Sequence, residues 1–139
     1  MVWMISANEK TYDAASAFEK FGFIDWSQSA NFDIGDTVYI YCSKPVQQVR
    51  YKCEVLACDL SFEEKLVDDY EFWVDKQEYE KTKTKKFIRL KLLSQVDTEM
   101  LHFTHLQEHG LNGRIQGPRK LDSSLADFIE KHFTKPPIS

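Results

Sequence analysis

No stretch of this chain approaches the roughly 20 consecutive apolar residues that a membrane-spanning helix needs, and the opening Met-Val-Trp-Met-Ile-Ser is too short for a secretory signal peptide. The expectation is a cytoplasmic protein with no membrane role. Cysteine is scarce and odd in number: Cys42, Cys53 and Cys58 sit in apolar, strand-like surroundings. That fits a reducing compartment better than a disulfide framework, and their spacing matches no common zinc pattern. Excess positive charge is missing as well. A formal net charge of −4 argues against broad, nonspecific attachment to nucleic acid. Nucleophile elbow, P-loop and dinucleotide fingerprint are all absent. So are internal repeats, low-complexity tracts and any linker able to separate two units, so the 139 residues are expected to fold as one domain, 1–139.

Aromatic residues, by contrast, make up 14% of the chain, and they crowd its first third. Trp26 follows Phe21, Phe23 and Asp25, and the run 36–43 reads as a strand. Alternation there sends Val38, Ile40 and Cys42 to one face and Tyr39, Tyr41 and Ser43 to the other. One face would be core; the other is expected to line a pocket. Flat π-faces beside short polar groups suit a planar, partly polar ligand such as a nucleobase. The same residues would also build an ordinary aromatic core of a small β domain, and pattern alone leans that way.

Strands are expected at 2–6, 37–43, 49–58 and 87–94. Between the first two lies a helix capped by Asp13, with Ala14, Ala17, Phe18 and Phe21 on one face and Gly22 as its stop. Asp25 and Trp26 read as a loop beyond it. From Glu63 to Glu80 the chain carries eight carboxylates against two lysines, mixed with Leu66, Tyr70, Phe72, Trp73 and Tyr79. This segment reads as an ordered excursion pointing away from any anionic ligand, and as a possible protein-binding edge. The sign then reverses through Lys81, Lys83, Lys85, Lys86, Arg89 and Lys91. Lys85, Lys86 and Arg89, with Arg114 and Arg119 from the loop 111–121, are the expected phosphate contacts. One or two helical turns are expected at 98–109. A last helix from Asp122 or Ser123 buries Leu125, Phe128, Ile129 and Phe133, and Pro136 and Pro137 end it. His102, His105 and His109 share a helical face, but the zincin pattern is missing. No metal and no cofactor are expected.

The ordered set Trp3-Met4-Ile5-Ser6-Ala7-Asn8, Phe21-Gly22-Phe23-Ile24-Asp25-Trp26, Ile34-Gly35-Asp36-Thr37-Val38-Tyr39-Ile40-Tyr41-Cys42-Ser43 and Gln116-Gly117-Pro118 resembles the EVE domain, a PUA-like group related to YTH and ASCH domains. The resemblance spans about residues 2–134. It looks most like a divergent EVE-like version of the kind also found fused to nuclease domains, although no nuclease motif is present. It implies an α+β fold, a PUA-like curved mixed β-barrel flanked by helices. It also implies a reader of DNA or RNA that holds a modified base in an aromatic pocket. Carried over, Trp26 stacks on the base, Tyr41 and Ser43 form the pocket edge, and Ser6 and Asn8 supply polar contacts beside Asp25. The stretch after the tryptophan departs from the family pattern: it is Ser27-Gln28-Ser29-Ala30-Asn31, with Asn31 alone recognisable. Other readings are a small ASCH-type hydrolase, for which no catalytic residue emerges, and a protein-interaction module without a nucleic-acid role.

Overall fold

The computed structural model describes residues 1–133, so Pro136 and Pro137 lie outside the described residues. Strand β1 (Val2–Ala7) leads into helix α1 (Ala14–Phe21). Asp13 caps α1 by accepting from Ser16 N at 3.1 Å. Gly22 closes the helix at φ 76°, a left-handed conformation that glycine adopts without a Cβ clash, and donates to Phe18 O. The chain re-emerges at once as strand β2 (Phe23–Ser27), not as a loop. The cause is a long-range partner: β2 pairs antiparallel with β5 (Phe87–Gln95), Trp26 facing Ile88 across the ladder.

Between these lie β3 (Thr37–Cys42) and the long β4 (Gln48–Leu60). The two-residue β6 (Arg119–Lys120) completes a sheet of order β2-β5-β4-β3-β1-β6, in which only β1 and β3 run parallel. Register shifts along β3, β4 and β5 bend the sheet, as bulges do. The fold is α+β, but the expected barrel closure is not seen. β6 is too short to carry a ladder across to β2, so β2 and β6 remain edges.

Each face of the sheet carries a core cluster. On one, Ile5, Ile24, Val38, Ile40 and Leu90 pack under Ala17 and Phe18 of α1. On the other, Met4, Tyr39 and Tyr41 pack against Leu101, Leu106 and helix α4 (Ser123–Phe133). Asp122 starts that helix by accepting from Leu125 N at 2.8 Å, where the sequence predicts. The tyrosine face of β3 is therefore core, not a pocket wall, because α3 (Phe103–Glu108) and α4 cover it.

The histidines of 98–109 diverge in role. His102 caps α3 by accepting from Thr104 N, and His109 stacks on Phe128 at 3.6 Å. Among the described residues no three His, Cys, Asp or Glu side chains group as metal ligands. His132 meets Phe128 in an edge-to-face contact at 5.0 Å, its Nε2 buried without a hydrogen-bond partner among the described residues. Burial lowers its pKa from the ordinary 6.5, with Lys131, His109 and His105 adding to the effect. A lowered histidine contributes stability that is present above the unfolded value and lost as pH falls through the folded one. The melting temperature should fall between pH 7 and pH 5, and His132→Leu should flatten that fall in differential scanning fluorimetry. An unchanged slope would show that other groups carry it.

The acidic excursion is ordered. It runs through short 3₁₀ turns and helix α2 (Lys76–Lys81), and it is pinned to the first turn of the fold. Asp13 N donates to Phe72 O at 2.8 Å, and Val74 N donates to Thr11 O at 2.9 Å. Its aromatic residues mostly turn inward: Phe72 packs on Phe21 and Trp73 on Tyr12, while Tyr70 remains exposed.

Candidate functional site

The excursion and β2 both line a cavity of about 480 Å³. One wall is Ser6, at the end of β1, followed by Asn8, Thr11 and Tyr12 from the turn that leads to α1. The floor is β2, through Asp25, Trp26 and Ser27, continued by Gln28 and Ser29. The far wall is the excursion itself, through Trp73, Glu78, Thr82 and Lys85. The acidic segment thus forms part of the cavity rather than pointing away from it.

Three aromatic rings give the cavity its shape. Tyr12 meets Trp26 edge-on at 5.9 Å between centroids and Trp73 at 4.9 Å. Tyr12 and Trp73 are held by Asp69, only 2% exposed, which accepts from Tyr12 Oη at 3.0 Å, Lys65 Nζ at 2.7 Å and Trp73 Nε1 at 3.3 Å. Burial, reinforced by Asp69, pushes the Tyr12 phenol far above the usual range, so it stays a donor at any physiological pH. Trp26 packs on the first core cluster yet keeps part of its surface open at the cavity. Asn8 Oδ1 accepts from Lys10 N at 2.9 Å, and Gln28 bridges Ala30 O and Asp59, which holds the rim in place.

Of the six residues expected in a base pocket, Trp26, Ser6, Asn8 and Asp25 line this cavity. Asp25, however, offers no free carboxylate. Its side chain is 0% exposed, and Arg89 occupies both oxygens at 2.9 and 3.3 Å. Tyr41 lies in the second core cluster, edge-on to Phe103 at 6.3 Å. Ser43 donates to Ala7 O at 3.2 Å and lines a separate hollow of about 100 Å³ with Cys42 and Arg50. Period-2 alternation separates faces but does not say which is covered.

The expected phosphate contacts scatter. Lys85 lines the cavity. Lys86 stands 3.9 Å from Asp59, and Arg89 is taken by Asp25. Arg119 belongs to β6 at the opposite edge of the sheet, where it donates to Asn112 O and Arg114 O and shares that loop with Arg114. Tyr12 and Trp73 escape a reading of the sequence because one sits at a helix entry and the other among carboxylates; neither local pattern marks a cavity wall.

The thiol of Cys42 is pushed up to about 11, chiefly by burial, with Arg50 opposing and Glu9 adding. A thiolate is the reactive form, so iodoacetamide should label Cys42 slowly at pH 7.5 and much faster near pH 11. Rapid labelling at pH 7.5, read by peptide mass spectrometry, would contradict this.

Neither a protein-family model nor a curated protein matches this sequence. Solved structures do match. The ASCH protein of Zymomonas mobilis aligns over 96% of each chain with a TM-score of 0.69 and 16% identity. A hypothetical protein from Leishmania major aligns over 94% of this chain and 92% of its own, with a TM-score of 0.61 and 18% identity. A Pseudomonas syringae protein aligns over 94% and 98%, with a TM-score of 0.62 and 12% identity. The fold is ASCH-like. The one family named among these three is ASCH, which the sequence resemblance sets beside EVE as a related group, and none of the three is named EVE. At these identities the likeness is one of fold. In this ASCH-like fold the cavity lies beside the edge strand β2, roofed by the excursion.

Proposed function

We propose that this chain is a nucleic-acid reader of EVE-like character that holds a modified base of DNA or RNA in the aromatic cavity, with Trp26 stacking on the base. The observation that carries the reading is Trp26 itself, a partly open indole on the floor of a 480 Å³ cavity whose walls include the polar Ser6 and Asn8. An aromatic face accepts any base, and neighbouring hydrogen bonds select among them. Stacking of one base contributes about 1–3 kcal/mol. The rigid placement of Tyr12 and Trp73 by Asp69 supports the reading, since a preformed cavity avoids the ordering cost of building one. Asp25 enters this proposal as a brace for β2, not as a hydrogen-bond partner of the base.

The test is a fluorescence binding screen of DNA and RNA oligonucleotides carrying different modified cytosines and adenines, run on the wild type and Trp26→Ala. A reader binds a subset and loses it in the variant. Turnover of a modified base, followed by chromatography, would favour the ASCH-type hydrolase instead. Binding of no oligonucleotide would remove the reader.

A further inference from the structure

Resting on that reading, we propose that the cavity takes a single nucleotide with one phosphate at Lys85, and that the strand beyond this nucleotide adds little to affinity. The basis is where the positive charge of the chain is spent. The block 81–91 has six cations, and four of them are already engaged: Lys81 with Glu78 at 2.8 Å, Lys83 with Glu80 at 2.9 Å, Lys86 with Asp59 at 3.9 Å and Arg89 with Asp25 at 2.9 Å. A phosphate approaching these pairs has to compete with the carboxylate that already sits beside each cation. Lys91 is exposed and makes no ion pair among the described residues, but it lies on the other face of the sheet from Trp26. It faces Phe23 in the ladder, three positions from the Ile88–Trp26 pair, and an odd offset along a strand reverses the side.

Lys85 differs from all of these. It lines the cavity, is exposed, and makes no ion pair among the described residues. Among the described residues no other cation lines the cavity: Lys10, in the turn that carries Asn8, is not part of the lining, and Arg114 and Arg119 belong to the far edge. A protein that tracks a polymer neutralises many phosphates, and its affinity falls with salt by about 0.7 log units per log unit for each phosphate on a single strand. Lys85, the one cation that lines the cavity among the described residues, predicts a slope near that of one phosphate. The size agrees, since the cavity of about 480 Å³, lined from three parts of the chain, is a ligand-sized space.

The probes are the common and methylated cytidines and adenosines, ribo and deoxy, each as nucleoside, as 5′-monophosphate, and placed once in a single-stranded 12-mer of unmodified thymidines. Indole fluorescence of the full chain reads each titration. The 12-mer should bind within about tenfold of the best monophosphate. Lys85→Gln, an exposed substitution, should bring the monophosphate down to the level of the nucleoside while leaving the nucleoside unchanged. A 12-mer more than tenfold tighter than the monophosphate would overturn the single-nucleotide footprint and leave the base reading standing. Equal loss for nucleoside and monophosphate in Lys85→Gln would overturn the phosphate assignment. No response to any probe, 12-mers included, would remove the base reading and this inference with it.

Discussion

Arg89→Leu should lower the stability of the fold by about 3–5 kcal/mol, the cost typical of stripping one partner from a buried ion pair. Asp25 shows why. Its carboxylate has no exposed surface, and Arg89, itself only 13% exposed, supplies both hydrogen bonds to it from the facing strand. Leucine would leave a buried negative charge without a counter-charge. The same guanidinium donates to Glu64 O at 3.2 Å, so its loss also frees the start of the excursion that carries Trp73 to the cavity. Because two apolar groups can replace a buried pair at little net cost, the double variant Asp25→Leu, Arg89→Leu should recover part of the loss. Urea denaturation of the two variants at pH 7 checks both statements. A single variant as stable as the wild type would mean that Asp25 is hydrated, and the brace for β2 would have to be sought elsewhere.

This pair also marks the boundary of what local sequence can tell. Asp25 and Arg89 are 64 positions apart, and each in its own neighbourhood reads as a solvated charge. Only the ladder between β2 and β5 brings them face to face. The Tyr12–Asp69 hydrogen bond, spanning 57 positions, hides the cavity wall in the same way. What is decided locally is legible. The Asp13 cap, the Gly22 stop, the Asp122 start of α4 and the strands β1, β3, β4 and β5 all follow from residue type and periodicity within a few positions. β2 was concealed because its five residues follow directly on a helix stop, where an aromatic segment passes for a loop. Tyr39 and Tyr41 show a subtler failure. Alternation separates them correctly from Val38 and Ile40, yet the elements that bury them, α3 and α4, come far later in the chain. Trp26, Ser6 and Asn8 reach one cavity because the end of β1 and the floor strand both border the excursion.

The central claim is that Trp26 is a stacking surface and not merely a core residue. Its ring packs on the first core cluster and also lines the cavity, half-buried, so Trp26→Ala should cost less stability than the roughly 3–5 kcal/mol of a fully buried tryptophan. Its effect on binding should be larger in proportion. Loss of one stacking face, worth about 1–3 kcal/mol, corresponds to an affinity lower by about fivefold to 150-fold. The two quantities belong in one experiment: oligonucleotide affinity and urea-denaturation stability of Trp26→Ala beside the wild type, under identical conditions and with the variant confirmed folded. The account predicts a folded variant that binds at least fivefold more weakly. A folded variant that binds as tightly as the wild type, or a stability loss as large as that of a fully buried tryptophan, would place Trp26 in the core and take the reading surface out of the cavity.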